Sequence, residues 1–124
     1  MDATQQAQAA YRTAAHPVRT PRGAEYDAFA RITSRLKAAA KPPSRFHDLA
    51  AAIHDNRRLW AILASDAAGD GNLLPPGLRA RILYLAEFTR LHSGKVLRDG
   101  APARPLIDIN TAVMRGLGGR DGAS

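Results

Sequence analysis

The 124-residue chain contains no cysteine, which excludes a disulfide framework, a thiolate metal site and a cysteine nucleophile, and suits a reducing compartment. It has no apolar run near the roughly 18–20 residues that a membrane-spanning helix needs. Residues 1–16 are polar and alanine-rich, without the basic and apolar regions of a signal peptide. A cytoplasmic location with no membrane association is therefore expected. Aromatic residues are few, one Trp, three Tyr and three Phe, and nowhere do they alternate with valine and isoleucine as strands require. None of the ten glycines follows a strand in a phosphate loop or a dinucleotide fingerprint.

What is present is positive charge, with 18 Lys and Arg against 11 Asp and Glu and a net charge of +7. Such an excess invites nucleic acid, but here it is dispersed. The arginines run from Arg12 to Arg120, only Arg57 and Arg58 are adjacent, and no block of like charge forms a basic arm. Only three of the basic residues are lysine. Arginine stems cover apolar surface while their heads stay in water, so a basic but dispersed surface is expected ahead of a nucleic-acid face.

Proline and glycine divide the chain into helical segments, and 124 residues suit one core. Asp2 is placed to cap a helix over about 3–14, in which Tyr11 is the only large apolar anchor; this helix is expected to dock loosely. His16-Pro17 breaks it, and Thr20-Pro21 opens the next. The second helix should run from Pro21 to about Ala40, with Phe29, Ile32, Leu36 and Ala39 on one face. Pro42-Pro43 ends it. Ser44 is the natural cap of a third helix, whose stripe reads Phe46, Leu49, Ala50, Ile53, Trp60, Leu63 and Ala64. Asn56 and Arg57 fall where that stripe should continue, which puts polar groups at or beside a surface that is buried or bound. Gly69-Asp70-Gly71-Asn72 closes the helix as a turn.

Pro75-Pro76 opens a fourth helix to about Leu97, with Leu78, Ile82, Leu85, Phe88 and Leu91 on one face. Leu83 and Tyr84 broaden the face, which marks this helix as the centre of the bundle. Pro105 starts a last helix to about Leu117 with Leu106, Ile109, Val113 and Leu117 inward and Asn110 at the border. The expected architecture is an all-α, single-domain bundle of four to five helices. Residues 1–20 form the N-terminal helix and linker, 21–117 the bundle, and 118–124 a disordered tail.

No catalytic or cofactor-binding constellation emerges. His47 and His54 lie about two helical turns apart but lack a third ligand and an orienting carboxylate, so ordinary helix histidines are the better reading. Asp66, Asp70 and Asn72 lack calcium-loop spacing and its closing glutamate. Ser65, Asp66 and His54 make a triad only if geometry assembles them. No catalytic residue, metal or cofactor is therefore assigned, and the chain is read as a binding protein. Its candidate partner-binding residues are Asn56, Arg57, Arg58, Trp60, Tyr84 and Phe88. Trp60 serves either as a core anchor or as a hot spot flanked by Arg57 and Arg58, and Tyr84 and Phe88 carry the same ambiguity.

The order of several short motifs points further. These are Arg22-Gly23-Ala24-Glu25; Asn56-Arg57-Arg58-Leu59-Trp60 with Leu63 and Asp66; Asn72-Leu73-Leu74-Pro75; Leu78-Arg79-Ala80 with Ile82; and Leu106-Ile107-Asp108-Ile109-Asn110 with Met114 and Gly116-Leu117. In this order, over roughly residues 3–117, the chain resembles the FlaF family of alphaproteobacterial flagellar biosynthesis regulators. The resemblance implies a non-enzymatic cytoplasmic protein needed for flagellin production and export, acting as a flagellin chaperone alongside FlbT, a post-transcriptional regulator of flagellin. Monomeric flagellin is then the expected partner and FlbT a second. Flagellin's terminal segments are disordered in the monomer and helical in the filament, so an apolar helical groove would shield them. The alternative is direct binding of flagellin messenger RNA, motivated by the positive charge and opposed by the scarcity of aromatics.

Overall fold

The computed structural model describes residues 21–69 and 74–123, with side chains described for 25–69 and 74–116. Four helices carry these segments: α1 Pro21–Ala40, α2 Phe46–Ala68, α3 Pro76–Asp99 and α4 Arg104–Ala123. No strand occurs among the described residues. The expected helix over 3–14 with Tyr11, the linker after it and residues 70–72 of the expected turn lie outside them.

Backbone chemistry sets most boundaries. α3 begins with Pro76 in its first turn, where a missing N–H leaves nothing unsatisfied. It ends at Gly100, whose φ of 70° lies in the left-handed region that glycine enters without a Cβ clash, and the Ala101 N–H folds back onto the Lys95 carbonyl at 3.3 Å. Ser44 is not the cap of α2: Arg45 occupies that position and no side chain caps the helix, because the first turn starts one residue later than the sequence suggests. The backbone of α4 runs as helix to Ala123, past Gly116, Gly118 and Gly119, where composition predicts a tail. Glycine's penalty in a helix is entropic rather than steric, so it permits this continuation.

The core is built in layers. One apolar cluster joins Phe29, Ile32, Leu59, Trp60 and Leu63, with Ile82, Leu85, Ile109 and Val113 packed against it. A second joins Leu36, Ala52, Ile53, Val96 and Leu106, with Leu49, Leu97 and Ile107 alongside. α1 and α3 enter the first cluster and leave through the second, whereas α2 and α4 do the reverse, which makes the bundle antiparallel throughout. Every helix places a buried polar residue near the junction of the two clusters: Thr33 on α1, Asn56 on α2, Thr89 and Ser93 on α3, and Asn110 on α4.

Two expectations about packing are corrected. The inward face of α3 continues from Ile82 and Leu85 to Thr89, Ser93 and Val96, while Phe88 and Leu91 turn outward. Following apolar residues in successive steps of three, from 85 to 88 to 91, drifts around a helix of 3.6 residues per turn; the buried continuation takes steps of four onto small polar side chains. Nor is α3 the central helix. That place belongs to α2, which packs along both α1 and α3 and reaches α4 through its side chains. Phe46, expected in the α2 stripe, is 65% exposed because it sits at the helix start beyond the apolar clusters.

Candidate functional site

The six residues expected to bind a partner divide into two groups. Asn56 and Trp60 are 0% and 2% exposed, so neither is a surface contact. The Trp60 indole packs edge-on against Phe29, with ring centroids 5.6 Å apart, and donates its Nε1–H to Asn110 Oδ1 at 2.9 Å. Because indole is only a donor, the Asn110 oxygen must face it, which turns the Asn110 amide group toward Asn56 Oδ1 at 2.7 Å. The chain Trp60–Asn110–Asn56 thus joins α2 and α4 across the bundle. The polar interruption at Asn56 is a core feature: the stripe is continuous, and one of its members is an amide that accepts from another helix. Asn56 Nδ2 and the Thr33, Thr89 and Ser93 hydroxyls find no partner among the described residues. A layer of this kind is less stabilising than an apolar one but fixes register, since a slip of one turn, about 5.4 Å, separates Asn110 from both partners.

Arg57, Arg58, Tyr84 and Phe88 remain at the surface. Arg57 is half-buried and donates to the Arg90 carbonyl at 3.3 Å, tying α2 to α3. Beside it runs a shallow groove of about 360 Å³ between these helices, lined by Arg57, Trp60, Ala61, Ala64, Leu83 and Ala86, with Glu87, Thr89 and Arg90 at one side. Glu87 is held by its own helix: Arg90 donates to both its carboxylate oxygens, at 2.6 and 3.0 Å, and keeps its pKa below the usual range. Outward of the groove, Tyr84 is 70% exposed, Leu91 51% and Phe88 36%. Spaced i, i+4, i+7, these three form one apolar strip on the solvent side of α3. Phe88 stacks at 5.7 Å on His92, whose Nε2 lies 2.8 Å from the Pro102 carbonyl at the turn into α4. Leu91, expected on the inward face of α3, belongs to this strip.

Among the described residues no reactive group assembles around this face. Ser65 and His54 are exposed on α2 and eleven residues apart, about 16 Å along the helix axis, so they form no triad with Asp66. Asp66 itself is buried, and its burial raises the carboxyl from 3.8 to about 6. Among the described residues no three His, Asp or Glu side chains are grouped to hold a metal ion, and no helix is long and apolar enough to cross a membrane.

The fold and this face define a class: a small helical bundle, closed around a layered core, that leaves an apolar strip uncovered on one helix. The chain belongs to the flagellar protein FlaF family, whose model matches residues 7–117. That span contains all four helices except the last residues of α4. The protein is thus a flagellar protein. No curated protein and no solved structure matches the chain.

Proposed function

We propose that this protein is a non-enzymatic cytoplasmic chaperone and regulator that binds monomeric flagellin through α3 and the α2–α3 groove. The observation that carries this reading is the strip Tyr84–Phe88–Leu91, uncovered on a bundle whose aromatic anchors Phe29 and Trp60 are fully packed. Exposed aromatic and aliphatic side chains at i, i+4 and i+7 accept an amphipathic helix, the form that flagellin's terminal segments take in the filament. Arg57 and Arg58 lie on the neighbouring helix, and arginine can pair with client carboxylates while its stem covers apolar surface. Holding a client in this way needs no cofactor. FlbT is a second candidate partner.

Calorimetry with purified protein and monomeric flagellin tests this. The double variant Tyr84→Ala/Phe88→Ala should weaken flagellin binding at least tenfold with helical circular dichroism unchanged, because truncating exposed residues leaves the core intact. Tight binding of flagellin messenger RNA, with none of flagellin, favours the RNA-binding alternative and overturns the chaperone reading.

A further inference from the structure

The apolar strip is the middle of a longer row. Arg81, Tyr84, Phe88, Leu91, Lys95 and Arg98 lie on α3, separated by three, four, three, four and three residues. That alternation is the a/d seam of a coiled coil, facing solvent at its apolar centre and spanning about 25 Å. Its ends are cationic. Among the described residues, none of Arg81, Lys95 and Arg98 makes an ion pair, and neither does Arg58 on α2. The carboxylate on α3 beside the apolar centre, Glu87, is already engaged by Arg90.

We infer that the seam is a docking site for one amphipathic helix of a protein client, with apolar residues in heptad register at its centre and Asp or Glu at the positions that meet Arg81, Lys95 and Arg98. The inference rests on the client reading above and adds the sign and spacing of what the client presents. Charge decides among the occupants. A second copy of this chain would set cations against cations at the seam ends in either a parallel or an antiparallel pairing, so self-association is disfavoured where an acidic helix is attracted. A single-stranded nucleic acid uses the flat faces of successive aromatic rings. Here one face of Phe88 is covered by His92, and the next position along the seam is aliphatic Leu91. Knob-shaped side chains at a and d suit a helix better than bases.

The test uses the full chain with Arg81→Glu/Lys95→Glu, and Tyr84→Ala/Phe88→Ala as the apolar control. Binding of flagellin monomer is measured at low and at high salt. Reversing the two charges should weaken binding about tenfold at low salt and invert its salt dependence, so that salt no longer weakens binding, while circular dichroism stays that of the wild type. Two designed peptides with identical Leu and Ile seams, one acidic-ended and one basic-ended, supply the second arm. Wild type should prefer the acidic peptide at least tenfold, and the charge-reversed protein should prefer the basic one. Flagellin binding that ignores the charge reversal, with no peptide preference, overturns the acidic-helix inference and leaves the chaperone reading standing. Loss of flagellin binding in all proteins, with the peptide preference intact, overturns the flagellin reading alone. A wild-type dimer in gel filtration that Tyr84→Asp dissociates would assign the seam to a second copy. RNA binding lost on charge reversal, with neither peptide bound, would assign it to nucleic acid.

Discussion

The turn Asn56–Trp60 of α2 and the turn Tyr84–Phe88 of α3 look alike as sequence: each sets large or polar side chains within a helical stripe, near arginine. In the folded protein they have opposite fates. Asn56 and Trp60 are sealed in the layered core and joined to Asn110, whereas Tyr84 and Phe88 stand in solvent between the cations of the seam. A buried aromatic with a polar atom survives where another helix delivers a partner for that atom. Where none does, and small residues such as Thr89 and Ser93 permit close approach, the helix turns its large apolar side chains outward. Composition of a turn therefore says little about which surface it makes; the opposing helix decides.

The contrast breaks most visibly at the two aromatics. Trp60→Ala removes a fully packed indole and strands Asn110 Oδ1, and should lower unfolding free energy by about 3–5 kcal/mol. Tyr84→Ala should stay within about 0.5 kcal/mol of wild type. Urea denaturation of both variants measures the difference, and comparable losses at the two sites would refute the assignment of one to core and the other to surface.

Asn110→Ala is the next largest effect and sharpens the role of the polar layer. It leaves the Trp60 N–H and the Asn56 acceptor buried without partners, at about 1–3 kcal/mol for each orphaned group. A loss of about 3 kcal/mol is expected from the two together, with the Trp60 fluorescence spectrum shifted by its changed surroundings. An effect below about 1 kcal/mol would show that the Trp60–Asn110–Asn56 chain contributes little.

The smallest effect belongs to Asp66, at the end of α2 away from both turns. Its carboxyl is raised in the folded protein, so the sign is that of a buried acid. Relative stability is fully present below the unfolded value near 3.8 and is lost as pH rises through about 6. Between about pH 5 and pH 7 the loss should be about 1 kcal/mol. Asp66→Asn should flatten the profile across that window, and equal slopes for the two proteins would exclude Asp66 as its source.

Much of the fold is legible in the order of residues alone. Pro42, Pro43, Pro75 and Pro105 mark helix limits because proline withholds an N–H and clashes with the preceding turn. Phe29, Ile32, Leu36, Ile53 and Leu63 repeat with helical period and are buried as that period implies. The candidate site is only half legible. Tyr84, Phe88, Arg57 and Arg58 are at the surface, but Phe88 and Leu91 also fit an inward stripe, and that fit obscures the exposed seam. The signal lies in the regular spacing from Arg81 to Arg98, which continues in cations where a core stripe would continue in apolar residues.

Local chemistry thus determined the helices, most of their ends and, through the order of its short motifs, the FlaF family, because backbone sterics and periodicity act within a few residues. Tertiary structure alone decided that Asn56 and Trp60 are interior and the Tyr84 strip exterior. The hydrogen bonds that tie Asn56 and Trp60 into the core come from Asn110, 54 and 50 residues away, and no local pattern encodes which helix will stand opposite.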